Sequence, residues 1–244
     1  MTGTYKNQDH HGGCVMGTHH GSEMRTEING VALSEIDLLR WEVERARVAK
    51  ALFLKHLGPE GTIALFAKEL DESAVVAKKW VEASGGRLAP SITLFDVQGG
   101  KAAEFLSWLH ERFASRDYEL LNGSCPEHFA LQPSPEGWMD VTETIGGWGL
   151  PIRFYVVPTG LESDGPDPID PALPHRLIGR IKGLDGVEYG RVMHQFGDTA
   201  SGFRARLGVY WPAAAPVELV EGHQWHLACE FNLWVKAYLS ANKA

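Results

Sequence analysis

Cysteine is scarce in this chain: Cys14, Cys125 and Cys229 are the three in 244 residues. Their odd number and the lack of any C-x-x-C pair argue against a disulfide framework and point to a reducing, cytoplasmic setting. An excess of positive charge is also missing. The formal net charge is -8, spread without a basic arm or acidic tail. A surface for nucleic acid needs the opposite balance, because it must neutralise phosphates. No apolar run approaches the ~20 residues of a membrane span, and the first thirty residues hold no apolar signal-like segment. Neither nucleic acid nor a membrane is therefore expected as a partner. Phosphate-binding glycine loops are missing from strand-to-helix positions, since the "GWG" after Ile145 falls between strands. "NGSC" lacks a nucleophile-elbow pattern, so a Ser-His-Asp triad has no anchor.

What is present falls into three stretches. Residues 1–30 are polar and glycine-rich, which predicts a poorly ordered tail. They carry His10, His11, Cys14, His19 and His20, loosely spaced among glycines, and no role is assigned to them. Residues 31–88 read as helical. Ser34 is the N-cap of a first helix that stops at Gly58; a second follows Pro59, with a break near Asp71, and ends at Gly85-Gly86. In residues 89–244 a strand "SITLFDV" and a helix "KAAEFLSWLHERFA" come first. From Tyr118 the pattern becomes short β-rich runs, beginning with "YELLNG" and "HFALQ" and punctuated by Gly, Pro, Asp and Ser. The Pro-rich "ESDGPDPIDPALP" is the one long loop, and is expected to cover a pocket. A long terminal helix, "EGHQWHLACEFNLWVKAYL", closes the chain. An antiparallel meander followed by one long helix predicts an α+β fold, a curved sheet wrapped around that helix with room for a ligand between them.

The terminal helix poses the chemical question. His226 and Glu230 lie one turn apart and stack on one face, with His223 beside them, among Leu227, Leu233, Trp234 and Ala237. A buried unpaired carboxylate is costly, so the helix needs a cation or donors opposite it. On the strands, His128 opens "HFALQ". In "WMDVTE", Trp138, Asp140 and Thr142 point one way, and Met139, Val141 and Glu143 the other. Two strands and one helical turn then bring His128, Glu143, His226 and Glu230 together. Two imidazoles and two carboxylates suit Zn2+ or a similar divalent ion with a position open for water. Glu127 and Glu136 stand as alternatives to Glu143. His194 is the candidate proton carrier, and His223 is either an outer partner or part of an exposed first turn. Arg204 and Arg206 share one strand face, either cavity or solvent. Tyr155, Tyr189, Tyr210 and Trp211 are either pocket walls or core.

The segments "CPEHFALQ", "VTETIGG", "YGRVMHQFGDTASGFRARLGVYWP" and "HQWHLACEFNLW" resemble the 2,4-diacetylphloroglucinol hydrolase family, which includes phloretin hydrolase. The likeness covers the C-terminal half. It implies a helical N-terminal part, a catalytic domain of helix-grip (Bet v 1-like) shape, and zinc held by two His and two Glu. His128 matches the first ligand, Glu143 the second, and His226 and Glu230 the helical pair. The implied activity is hydrolysis of a carbon-carbon bond between an acyl group and a phenolic ring, on a small aromatic ligand. Two rival expectations keep the architecture without the metal: a carrier of hydrophobic or aromatic small molecules, and an aromatase or cyclase. The helical N-terminal region offers surface for a homodimer.

Overall fold

A computed structural model describes residues 25–160, 163 and 165–242. The histidines and cysteine of the N-terminal tail lie outside the described residues. The chain divides into two units, Met1–Glu44 and Arg45–Ala244. In the first, β1 (Thr26–Ile28) and β2 (Val31–Leu33) form an antiparallel hairpin around Asn29-Gly30. Both turn residues have positive φ, 53° and 78°, the conformation that Asn-Gly supplies to a tight hairpin turn. Residues 26–30, expected within a poorly ordered tail, form part of this hairpin. Ser34 then caps α1 (Glu35–Leu65), as expected: its Oγ accepts the Asp37 N–H at 3.2 Å, and Asp37 accepts the Ser34 N–H at 3.0 Å.

In the second unit the first helix stops at Gly58, as expected, and the further break expected near Asp71 falls earlier, at Phe66. Gly58 leaves the helical region at φ 65°, Pro59 follows, and α2 (Ala67–Ser84) starts after Phe66. The order continues β3 (Leu88–Gln98), α3 (Ala102–Ala114), α4 (Tyr118–Gly123), β4 (His128–Pro133), β5 (Met139–Ile145), β6 (Trp148–Pro158), β7 (His175–Lys182), β8 (Glu188–Thr199), β9 (Gly202–Pro212) and α5 (Val217–Ala241). "YELLNG", expected as a strand, is the short helix α4. Asp117 caps it by accepting the Leu120 N–H at 3.2 Å, a local bond that a strand would forfeit.

Strands β3 to β9 form one antiparallel sheet in the order β3-β9-β8-β7-β6-β5-β4. It curls as a half-barrel around α5, which touches the edge strand β3 and also β5 and β6 toward the other edge. The α+β architecture and the helix seated in a curved sheet are therefore as the periodicity predicts. Helix α2 packs against β6, β8 and β9, and its Ala77, Trp80 and Val81 join the same hydrophobic core as α5. The buried face of α5 runs Leu219, His223, His226, Leu227, Glu230, Phe231, Trp234, Tyr238, a 3.6-residue repeat. Phe105 of α3 anchors one end of the core: its ring lies 5.5 Å from those of Phe203 and Tyr238. Burial of one such side chain contributes roughly 1.5–3 kcal/mol.

Two glycine pairs of backbone set the depth of α5. A Cβ on Gly146 would stand 2.4 Å from the Gly222 carbonyl carbon, and one on Gly222 would stand 2.4 Å from the Gly147 nitrogen. The β5–β6 turn and the first turns of α5 therefore meet main chain to main chain, which brings the end of β5 beside His223 and His226. The Pro-rich segment does not cover the cavity in its described part. Asp167 pairs with Arg206 and Tyr210, and the Asp170 N–H donates to Gln195 Oε1 at 2.9 Å. Those partners lie on the strand faces opposite to His194 and Trp211, so the segment is strapped to the outside of the sheet. Among the described residues no helix is long and apolar enough to cross a membrane.

Candidate metal centre

His128 opens β4, Glu143 lies near the end of β5 directly across from it, and His226 and Glu230 come from α5. All four are buried. His128 Nε2 lies 3.0 Å from His226 Nε2, 3.6 Å from Glu143 Oε2 and 3.4 Å from Glu230 Oε1. His226 Nε2 lies 3.6 Å from the same Glu143 oxygen. A tetrahedral ion with bonds of ~2.1 Å separates its ligand atoms by about 3.4 Å. The four separations, 3.0 to 3.6 Å, bracket that value, with His128 common to three of them.

Surrounding acceptors decide which nitrogens face inward. His128 Nδ1 lies 2.9 Å from the Leu121 carbonyl oxygen, which can only accept, so Nδ1 carries the proton. His226 Nδ1 lies 2.9 Å from Glu127 Oε2 and donates to that carboxylate. Both Nε2 lone pairs therefore converge on one point, together with two carboxylates. Lone pairs facing each other at 3.0 Å repel unless a proton or a metal ion stands between them. The orienting carbonyl and carboxylate behind each imidazole are the usual outer partners of metal-bound histidine.

The same shortage of positive charge moves the acid–base equilibria. Burial pushes the Glu143 carboxyl up to about 7 and that of Glu230 up to about 8. Burial, then the nearby His226, holds His128 well below the ordinary histidine value. In His226 burial again disfavours the charged ring, yet Glu143, Cys125 and Glu127 together lift it well above that value. A divalent ion supplies the charge these groups otherwise obtain only by sharing protons.

Further donors border the cluster. Cys125 Sγ lies 3.8 Å from His226 Nδ1, and Cys125, His128 and His226 form one group of donor atoms within 4.8 Å of one another. Glu143, His223 and His226 form another. His223 is buried, not exposed, and its ring stacks on that of His226 at 4.8 Å and 16°. Its Nδ1 has no hydrogen-bond partner among the described residues.

These groups sit in a cavity of about 600 Å³ whose walls are mainly apolar, including Val141, Phe154, Val192, Val209, Trp211 and Phe231. Glu143, His194, His223, His226 and Glu230 supply its polar edge. His194 of β8 does not join the donor cluster: its Nδ1 accepts the Gly208 N–H at 3.1 Å, and burial pushes its pKa down to about 3. Of the alternatives for the second carboxylate, Glu127 stands behind His226, and Glu136 accepts from Ser134 Oγ at 2.9 Å in the β4–β5 turn. Arg204 pairs with Asp96 and Arg206 with Asp167, both away from the cavity. Trp211 lines the cavity, whereas Tyr155 meets Trp138 and Tyr210 meets Asp167 on the outer face. The outer roles of Glu127 and the Leu121 carbonyl escaped the sequence, because neither spacing nor periodicity marks them.

The fold and site together define an α+β protein with a buried His/Glu cluster at the side of an apolar cavity. No protein-family model matches the chain, and no curated protein matches it.

Proposed function

We propose that this protein is a zinc-dependent hydrolase of acylated phenols, of the 2,4-diacetylphloroglucinol hydrolase kind, with a helix-grip catalytic domain. One observation carries the reading: two imidazoles and two carboxylates converge, with His128 within 3.0 to 3.6 Å of each of the other three, beside a mainly apolar cavity of about 600 Å³. His128, Glu143, His226 and Glu230 would hold the ion. A bound zinc ion supplies Lewis acidity toward an acyl carbonyl and toward water. In the net reaction water adds to the acyl carbon and the bond from that carbon to the ring breaks. Its electron pair passes to the ring carbon, which takes up a proton, and a carboxylic acid and the deacylated phenol leave. The apolar walls hold the ring and keep bulk water from the reacting atoms. His223 lies beside Glu143 and His226 with its Nδ1 unpartnered among the described residues, and is placed to hydrogen-bond water or ligand at the site.

Elemental analysis of the full chain beside His226→Ala and Glu230→Ala tests the reading. The parent is expected to hold one zinc more than either variant and to release carboxylic acid from an acylphloroglucinol, whereas neither variant does. Equal zinc in all three proteins, or none after supplementation, refutes it. The apolar cavity favours one second reading, a carrier of an aromatic small molecule without metal; it predicts tight binding of the same compound with no product.

A further inference from the structure

The β8–β9 ladder gives up one main-chain bond to a single side chain. Along the β8–β9 ladder Val192 pairs with Val209 and Gln195 with Arg206 in one continuous register, but Met193-His194 and the facing Leu207-Gly208 are left out of the pairing. Gly208 gives its N–H to His194 Nδ1, at 3.1 Å, instead of to a strand neighbour. The strands approach too closely there for any other residue: a Cβ on Gly208 would lie 2.9 Å from the Met193 carbonyl oxygen and from the Tyr210 ring. Phe231 of α5 fixes the ring plane from the other side, at 5.4 Å and 82°. A main-chain donor withheld from a sheet ladder is an exception that asks for a reason.

We infer that His194 is a neutral hydrogen-bond donor that reads an acceptor oxygen on the ligand, a carbonyl or phenol oxygen distant from the bond that breaks. Because a backbone N–H can only donate, Nδ1 must stay unprotonated, and Nε2–H is the ring's one remaining polar atom, on a side chain that lines the cavity. Burial reinforces this by holding the ring's pKa near 3. His223, His226 and Glu230 of α5, Glu143 of β5, Arg176 of β7 and His110 of α3 are the other ionisable groups that line the same cavity, while Arg206 and Tyr210 of β9 face outward. A group fixed in this way does not carry protons at neutral pH. It orients, and it discriminates: a ring with an oxygen acceptor is held, and a hydrocarbon of the same shape gains nothing from it. This rests on the proposed use of the cavity for acylated phenols, but not on the metal.

Binding of hydroxyacetophenone and of ethylbenzene to the full chain, with and without zinc, tests it. His194→Phe is expected to weaken hydroxyacetophenone binding about tenfold and to leave ethylbenzene unchanged. His194→Gln, whose amide can both accept from Gly208 and donate to the ligand, is expected to stay within about threefold of the parent. Nitrogen NMR of the parent should find an unprotonated Nδ1 and a protonated Nε2 from pH 5 to pH 8. Equal loss for both compounds in His194→Phe, or a ring that gains a second proton in that range, overturns the inference. Failure to bind zinc or to cleave, with the binding pattern intact, overturns only the hydrolase reading.

Discussion

Glu127 is a sharp test of the metal centre, because it touches the site only through another residue. Its carboxylate accepts the His226 Nδ1–H at 2.9 Å, and its Oε1 also lies 3.4 Å from Thr144 Oγ1. Removing an outer partner of a metal-bound imidazole lowers metal affinity by about 10- to 100-fold, or about 1.4–2.7 kcal/mol. Two variants divide that range. In Glu127→Gln the amide oxygen still accepts the proton, but the bond loses its charge, roughly half of its strength. In Glu127→Ala nothing restrains the ring, and His226 becomes able to present Nδ1–H or Nε2–H to the site. Competition with a chelator of known zinc affinity is expected to find about a tenfold loss for Gln and about a hundredfold loss for Ala. Unchanged affinity in the alanine variant, or a larger loss for Gln than for Ala, would refute the claim that Glu127 fixes the tautomer.

Two more outcomes follow from the packing and from the buried imidazole of β8. Gly222→Ala drives a Cβ to 2.4 Å from the Gly147 nitrogen, so α5 must shift away from the β5–β6 turn. Urea unfolding should register a loss of at least 1–3 kcal/mol, and zinc binding should weaken with it; a variant with parental stability and zinc affinity would contradict the placement of α5. The His194 pKa, pushed down by burial to about 3, gives a pH dependence of known sign. Unfolding frees the ring to take up a proton below its ordinary value of 6.5, while the folded state refuses it until about pH 3. The folded state is therefore unaffected by this group above pH 6.5 and loses stability as pH falls from there toward 3. Between pH 6.5 and 4.5 the loss is about 2 kcal/mol. Denaturant midpoints should fall more steeply with acid in the parent than in His194→Gln; parallel slopes would remove the neutral, buried imidazole.

The order of elements, the curved antiparallel sheet and the inward face of α5 are determined by the sequence alone, because side-chain periodicity is a local property. The same holds for the strand phase of β5, where Met139, Val141 and Glu143 alternate with Asp140 and Thr142, and the Glu143 side lines the cavity. Local patterns misled where a short capping bond outweighed β propensity, as at α4, and where the second break between helices falls at Phe66 and not near Asp71. They also misplaced the Pro-rich segment, since the ion pair that straps it joins Asp167 to Arg206 across the fold. Only the tertiary structure decided which histidine does what. His223 and His194 look alike in sequence, yet one stacks on His226 and the other takes a backbone N–H from a neighbouring strand. A tautomer depends on the acceptor or donor behind each ring, and those partners, Glu127, Leu121 and Gly208, meet their histidines through chain closure that no spacing along the sequence encodes.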